Sequence, residues 1–512
     1  LSAWCRWDHC KFSDRTFGRT MPRHMVLVPA VCYLALHVVG WYIPSWLWGV
    51  DQFHYFPTQY LAISVVGMIA LFSATLIDPQ KCDFALEGLS RFFNRPAFHS
   101  IVPRLLLLAG FFALAYAFQV RAHYLGDSSM WFNNMEIMLL EDNPDSIAWV
   151  VGIPLEGLQH IPMHQSLDFT LHYQAYRFGK WLFGWTPADV YSWISLAAGF
   201  PYAWTVWRIC RFEFSAGLLR HTAFALLLTL GNTQLFFGYG ESYTLLTLVS
   251  VLYVYYGLRC VRDKISIVVP FICFSGAVAL HLMALTLTPS ILYLLWRTPF
   301  GSRLRQSGVY IPLIAVGVIV GFLLYWHFYR PLHMPIFSAP EDGMYAVFSL
   351  PHLLNLFNEV LLISPFGLLW GLSNIRPDVQ PSNSRRFVGF AALGATVLIA
   401  VHLVPLGGRD WDIMAFPGFF YTLWGLLTLA RLPQRERYFS QARLVVVPLM
   451  TLHTGLWIVI NSDQQRGLER LGNLLLHTPN QSQHYRDFTL GHYYTNLREG
   501  FEEAGERYLR NA

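Results

Sequence analysis

Apolar stretches long enough to cross a lipid bilayer follow one another along most of this chain. Its 512 residues are 54% hydrophobic and only 13% charged, a balance too apolar for a soluble globular domain. A lipid-exposed backbone must satisfy its own polar groups, which favours helices. The sequence therefore predicts an all-α fold, a polytopic transmembrane helical bundle of about 11–13 spans. We place spans at 25–49, 60–77, 102–120, 190–207, 221–237, 242–258, 265–280, 282–296, 309–329, 355–373, 387–405, 413–430 and 443–460.

The distribution of Lys and Arg orients these spans. With a cytoplasmic N-terminus, 25 basic residues fall in inner segments, five in outer segments and six in the C-terminal tail. Cytoplasmic loops of membrane proteins collect basic residues, so we expect a plasma membrane protein with an extracytoplasmic tail. Two weak spans, around His281 and around Pro289, could merge and reverse the orientation of the later spans. Because the basic residues are dispersed, nucleic acid is not an expected partner.

Three regions divide the chain. Residues 1–24 are predicted to be a cytoplasmic segment, and the Met21-Pro22-Arg23 run suggests that residues 1–20 are an over-extended start. Residues 25–460 form the membrane domain, with a large outer loop at 121–189. Residues 461–512 form an outer helical tail whose Tyr, Gly and Ala spacing resembles half a tetratricopeptide unit, although a solvated amphipathic helix that docks on the outer surface is the better explanation.

The large outer loop contains two stretches with helical spacing of aromatic and polar residues. They are SSMWFNNMEIMLLE at 128–141 and LDFTLHYQAYRFGKWLF at 167–183. Aromatic rings and basic side chains on such helices favour the depth of the lipid headgroups. The sequence therefore predicts interfacial helices here, in contact with membrane lipids.

Four acidic residues fall at the outer membrane face in this threading: Asp127, Glu241, Asp410 and Asp412. Ionisable groups at the edge of a hydrocarbon slab are costly, and they usually serve binding or chemistry. Asp127 follows the third span, where a carboxylate can deprotonate a hydroxyl or hold a divalent cation such as Mg²⁺ or Mn²⁺. Asp127 and the serine after it are equally suited to cap a helix N-terminus, and the two roles are compatible.

Glu241 and Arg409 are the other distinctive outer residues. Glu241 lies at the outer end of a span, after a very short turn with glycines at 238 and 240. The alternative to a role in binding or chemistry is that Glu241 is a polar turn residue facing water. Arg409 precedes Asp410 and Asp412, and its planar guanidinium suits a phosphate. A salt-bridged turn is the simpler explanation of that run.

Three further candidates share a helix face. His164, Asp168 and His172 are spaced by four, so a helix places them along one side. Such a stripe can ligate a metal or a pyrophosphate, but imidazole and carboxylate one turn apart also form an ordinary hydrogen-bonded ladder. The sequence leaves both possibilities open.

Four short stretches, YLGDSS, SLDFTLHYQAYRF, FFGYGESYTLL and GGRDWD, sit in outer segments of a polytopic chain. In that arrangement the chain resembles the GT-C superfamily of membrane glycosyltransferases over residues 25–460. The resemblance implies transfer of a sugar from a polyprenyl-phosphate donor to an extracytoplasmic acceptor, with inversion. It implies that Asp127 is the catalytic base or metal ligand and that Arg409 contacts the donor phosphate. We expect Glu241, with Asp410 or Asp412, to support Asp127. The family's Asp-Glu pair is replaced here by Asp127-Ser128.

Two other classes of function remain open. A transporter or flippase for a lipid-linked or small polar solute would need broken helices and polar groups near mid-membrane, and no two-fold repeat is evident. A non-catalytic scaffold would use the outer tail to recruit partners.

Overall fold

The computed structural model describes residues 25–77, 88, 101–121, 123, 128–141, 165–215, 217–298, 349–372, 382–401, 410–476 and 491. All regular structure in these ranges is helical, as predicted. The first eight helices are α1 (Leu27–Tyr42), α2 (Thr58–Ile77), α3 (Ile101–Ala117), α4 (Ser128–Glu141), α5 (Ser166–Phe183), α6 (Pro187–Glu213), α7 (Leu218–Leu228) and α8 (Tyr243–Val261). The later ones are α9 (Val268–Leu280), α10 (Thr288–Arg297), α11 (Leu350–Ile363), α12 (Pro365–Leu372), α13 (Asn383–Val401), α14 (Trp411–Leu429), α15 (Arg435–Gln441), α16 (Val447–Ser462) and α17 (Gln464–Leu475).

Four helices of the described ranges are long and apolar enough to cross a membrane. They are Thr58–Leu76, Tyr243–Val261, Trp411–Leu429 and Arg435–Ser462, the last running from α15 into α16 through a π-helical turn. A fifth is added if α11 and α12 are counted as one bent span. All coincide with predicted spans, whereas the predicted span 309–329 lies outside the described residues.

The core is built around α14, which is almost entirely enclosed. In α14, 88% of the 18-residue apolar stretch is buried inside the protein, whereas in α2 the buried share is 22%. Ile63, Val66 and Leu76 of α2 are exposed apolar side chains. A helix that presents large apolar residues outward is typical of a lipid-facing position.

The chain turns sharply between α11 and α12, which meet at an angle of 102° around Ser364. Pro365 has no backbone N–H, so it cannot donate to the carbonyl of Leu361 four residues earlier. The hydroxyl of Tyr33, on α1, donates to that carbonyl instead, at 2.8 Å. The predicted single span 355–373 is therefore a broken helix whose freed acceptor is satisfied by a side chain.

Helices α4 and α5 have almost the bounds expected for the helices of the outer loop. Trp131, Met135 and Met138 of α4 are buried in one apolar cluster with Phe169 and Tyr173 of α5. The far end of α5 leaves aromatic rings exposed, and Trp181 is 79% accessible. Each helix thus has one packed face, and α5 also carries an exposed aromatic end.

Candidate functional site

The turn that carries Glu241 is fastened to α6 by two serines. The backbone N–H groups of Gly238 and Tyr239 donate to Oγ of Ser195 at 2.9 and 3.2 Å. Ser192 donates to the carbonyl of Gly238 at 3.3 Å. Gly238 has a φ of +80°, a conformation that a side chain would strain. The sequence makes this turn rigid, and so fixes the direction in which its side chains leave it.

Glu241 itself is buried, with 4% of its surface accessible. The alternative role of a polar turn residue facing water therefore does not hold. Ser242, the next residue, donates to the side-chain oxygen of Gln165 at the start of α5. The turn thereby contacts the outer-loop helices as well as α6.

Tyr239 links this turn to the start of α14. Its hydroxyl donates to Oδ2 of Asp412 at 3.0 Å, and its ring meets that of Trp411 edge-on at 5.1 Å. Burial, followed by the charge of Asp412, raises the pKa of Tyr239 well above its ordinary value. The phenol therefore keeps its proton and remains a donor to the carboxylate.

Asp410 and Asp412 both lie at the N-terminal end of α14 and are buried. Asp412 accepts from the backbone N–H of Ile413 at 2.9 Å, whereas Asp410 makes no side-chain capping bond to its helix. The charges of both, with that of Glu241, act on Tyr239. The carboxylates of two segments separated by about 170 positions therefore share one environment.

Asp168 and His172 lie one turn apart on the buried face of α5, as their spacing predicted. Nδ1 of His172 lies 2.9 Å from the carbonyl oxygen of Asp168 and 3.1 Å from its Oδ2. The imidazole stacks on the ring of Tyr191 with 4.0 Å between centroids, and the charges of Asp168 and Glu241 both act on that tyrosine. Burial raises the pKa of Asp168, against the opposing effect of His172.

Three of the predicted site residues, Asp127, His164 and Arg409, lie outside the described residues. Ser128, which follows Asp127 in sequence, is buried against Gly240. A Cβ on Gly240 would lie 3.0 Å from Oγ of Ser128 and 3.1 Å from Nδ1 of His123. Loss of hydration lowers the pKa of His123 to about 4. Ser128 and His123 thus both lie beside the turn that carries Glu241.

The structure adds two charged residues that the sequence analysis did not single out. Glu359 is buried on α11, and the charges of Asp412 and Arg470 both act on it. Arg470, on α17, is 1% accessible and forms an ion pair with Asp51 at 3.2 Å. The sequence does contain a signal for Glu359, because it is an acid inside an apolar run. The position of Arg470 in a polar tail gave no such signal.

In the core of the described chain, several buried polar atoms have no hydrogen-bond partner. Such groups are costly to bury and are usually matched by a ligand or an ordered water. Ring contacts bring three of these residues together. The ring centroids of Trp411 and Trp457 lie 5.6 Å apart, and the guanidinium of Arg470 lies 4.2 Å from the ring of Trp457. The atoms are both carboxylate oxygens of Glu359, Nε1 of Trp411, Nε1 of Trp457, Nε2 of Gln234 and Nη1 of Arg470.

A divalent cation has no evident set of ligands in the part of the chain that the structure describes. No three His, Cys, Asp or Glu side chains group there as a metal site requires. Asp127, the residue expected to ligate a metal, lies outside that part.

Comparison of the chain with family models, curated proteins and solved structures finds no match.

Proposed function

We propose that the protein is a membrane glycosyltransferase of GT-C type. It transfers a hexosyl group, with inversion, from a polyprenyl-phosphate donor to an extracytoplasmic acceptor. The protein spans the plasma membrane with its N-terminus in the cytoplasm, and the described helices belong to a polytopic bundle of about 11–13 spans with α4 and α5 in the outer interface.

The observation that carries this proposal is the convergence of buried carboxylates. The hydroxyl of Tyr239 donates to Asp412 at 3.0 Å and is also within the electrostatic influence of Glu241, and the charge of Asp412 also acts on Glu359. These acids come from three separate segments, and each is at most 4% accessible. Burying several carboxylates together is unfavourable, and such groups of perturbed acids cluster at functional sites. A glycosyl acceptor needs such a group, because its hydroxyl must lose a proton as the new bond forms.

The unpartnered atoms beside these acids match the hydroxyl groups of a sugar. The indole N–H groups of Trp411 and Trp457 donate, the carboxylate of Glu359 accepts, and a hydroxyl can do both. The guanidinium of Arg470 is already paired with Asp51, and Asp412 adds a further acid to this region. A neutral polyhydroxylated group suits this region better than a phosphate does.

The roles of the individual residues are proposed from the sequence and from the resemblance. Asp127 is the base or holds a divalent cation, and Glu241 supports it from the turn against which Ser128 packs. Arg409 binds the donor phosphate. The remaining candidates, Asp410, Asp412, His164, Asp168 and His172, are assigned to substrate binding.

The test uses the full chain in proteoliposomes with a panel of radiolabelled polyprenyl-phosphate hexoses and a cell-envelope extract as the source of acceptor. We expect label to leave the donor and to appear in an acceptor fraction. Glu241→Gln should slow this transfer by about 100-fold or more, the size of a general acid or base contribution. Asp127→Asn should abolish it.

The matched control is Glu136→Gln, which neutralises an exposed acid of α4 in the same outer region. This variant should transfer at the wild-type rate. Each variant is compared with the wild type by thermal unfolding, so that loss of activity is separated from loss of fold. Full transfer by both Asp127→Asn and Glu241→Gln would refute the catalytic assignment.

A transporter or flippase for a lipid-linked or small polar solute is the second candidate, and the 102° break between α11 and α12 favours it. Transporters bind solutes at broken helices, whose ends expose backbone donors and acceptors. The two functions differ in the fate of the donor. In the same proteoliposomes a flippase would move the labelled lipid to the other leaflet with its glycosyl phosphate bond intact.

A further inference from the structure

His37 on α1 and His453 on α16 form a buried chain of contacts with two backbone carbonyls. Nδ1 of His37 lies 3.1 Å from the carbonyl oxygen of Val50, and Nε2 of His453 lies 2.8 Å from that of Leu362. The other two nitrogens, Nε2 of His37 and Nδ1 of His453, face each other at 3.2 Å. Both rings are 1% accessible.

The contacts of the two rings need more protons than two neutral rings hold. A carbonyl oxygen only accepts, so each carbonyl contact is a hydrogen bond only if Nδ1 of His37 or Nε2 of His453 carries a proton. A neutral imidazole has a single N–H, so two neutral rings supply two protons for three contacts. In every pair of neutral tautomers, two acceptors therefore face each other with no proton between them.

We propose that His37 and His453 together bind one proton, which is shared between Nε2 of His37 and Nδ1 of His453. The pair is then an imidazolium that donates to an imidazole. One added proton completes all three contacts of the chain. Within the described residues no third His, Cys, Asp or Glu joins the pair, which argues against a metal ion between the rings.

The groups around the pair decide whether the charge is tolerated. The ring of Tyr33 lies 4.9 Å from that of His37 and 5.6 Å from that of His453, and the π face of an aromatic ring attracts a cation at such distances. Tyr421 and Glu359 are the titratable groups of α14 and α11 on this side of the core, and Arg470 on α17 acts on His453. Asp51 is held by Arg470. Burial and the charge of Arg470 disfavour protonation of the pair, whereas the hydrogen bond between the two facing nitrogens favours it.

The proton has a structural consequence at the helix break. Leu362 is two residues before Ser364, where α11 ends and the chain bends by 102°. The shared proton connects its carbonyl, through both rings, to Val50 beyond the end of α1. Removal of the proton breaks one hydrogen bond of this chain of contacts. The bend between α11 and α12 is therefore linked to the protonation of the pair.

The test is ¹⁵N NMR of the histidine-labelled full chain in lipid bilayers at pH 8. A histidine of ordinary pKa, about 6.5, is only a few per cent charged at that pH. We expect one imidazolium signal per molecule, with a coupling between two histidine nitrogens across the N–H···N hydrogen bond. Both signals should disappear in His37→Gln and in His453→Gln.

His54→Gln is the matched control, because His54 contacts the carbonyl oxygen of Trp41 at 2.9 Å and, among the described residues, is hydrogen-bonded to no second imidazole. This variant should keep both signals. If the two variants of the pair fail to fold, the wild-type spectrum alone decides. A wild-type spectrum at pH 8 that shows neutral histidines only, with no coupling across rings, overturns the proposal.

Discussion

Nε of Arg470 lies 3.2 Å from both carboxylate oxygens of Asp51, which joins two residues 419 positions apart in the sequence. The same guanidinium donates through Nη2 to the carbonyl of Trp48 at 2.9 Å. Both charged groups are buried. The beginning of the predicted outer tail is therefore attached to the segment after α1, and α17 packs on the helical core.

Replacing Arg470 with Met should destabilise the protein by about 3–5 kcal/mol, because a buried Asp51 would lose the cation that compensates it. Met keeps much of the volume of the side chain but carries no charge. The measurement is thermal or denaturant unfolding of the detergent-solubilised chain at neutral pH.

Arg466→Met provides the comparison for this variant on the same helix. Arg466 pairs with Asp463 at 3.3 Å, but both side chains are more than a third accessible. An exposed pair of this kind contributes at most about 1 kcal/mol. The double variant Arg470→Met with Asp51→Asn should recover part of the loss, and a double variant as unstable as Arg470→Met alone would show that the charge of Asp51 is not the cause.

The stability of the protein should depend on the protonation of Asp51. Burial raises the pKa of this carboxyl to about 6, against the opposing effects of Arg470 and Tyr55. The unfolded chain has an ordinary Asp pKa near 3.9, so the folded state favours the protonated form. This contribution is fully present below about pH 4 and is lost as the pH rises through 6. Its size is on the order of 2–3 kcal/mol.

The measurement is the free energy of unfolding at several pH values between 4 and 7, for wild type and Asp51→Asn. Other groups titrate in both proteins, so the difference between the two curves isolates Asp51. We expect wild type to lose stability relative to the variant as the pH rises. A difference that stays constant over this range would contradict the raised pKa.

Removal of the Tyr239 hydroxyl should weaken the contact between the Glu241 turn and α14. In Tyr239→Phe, Oδ2 of the buried Asp412 loses a donor at 3.0 Å. Hydrogen bonds to charged groups contribute about 1.5–3 kcal/mol, and we expect a loss of that size in unfolding experiments. Tyr60→Phe, at an exposed position of α2, should change the stability by less than about 0.5 kcal/mol. Equal effects of the two substitutions would mean that the Asp412 contact is not stabilising.

Local periodicity determined how much of the fold could be predicted from the sequence. Helices α4 and α5 begin and end within one residue of their predicted bounds, because their aromatic and apolar positions recur at helical spacing. Their mutual packing through Trp131 and Phe169 was not predictable from either segment alone.

The features that the sequence did not predict depend on contacts between distant segments. Pro365 indicates a break near Ser364, but the apolar run 355–373 is long enough for one span and therefore predicts an unbroken helix. The predicted span 221–237 ends as a helix at Leu228, and residues Gly231–Phe236 form a 3-10 turn instead. For the site, Glu241, Asp410 and Asp412 were identified as acids of one face, whereas the burial of Arg470 requires Asp51 to be placed beside it by the fold.

The packing of α12 on α14 depends on two glycines that let the helix backbones touch. A Cβ on Gly425 of α14 would collide with the carbonyl oxygen of Gly367 of α12, and backbone atoms cannot move aside as a flexible side chain can. Gly425→Ala should therefore destabilise the protein by about 1–3 kcal/mol, the usual cost of overpacking. Gly455→Ala, within α16, meets no atom within 4 Å and should instead stabilise it by roughly 0.5–1 kcal/mol, because alanine is the better helix former. Unfolding experiments on the two variants check both signs, and a stabilising Gly425→Ala would mean that α12 and α14 do not approach as closely as their backbones indicate.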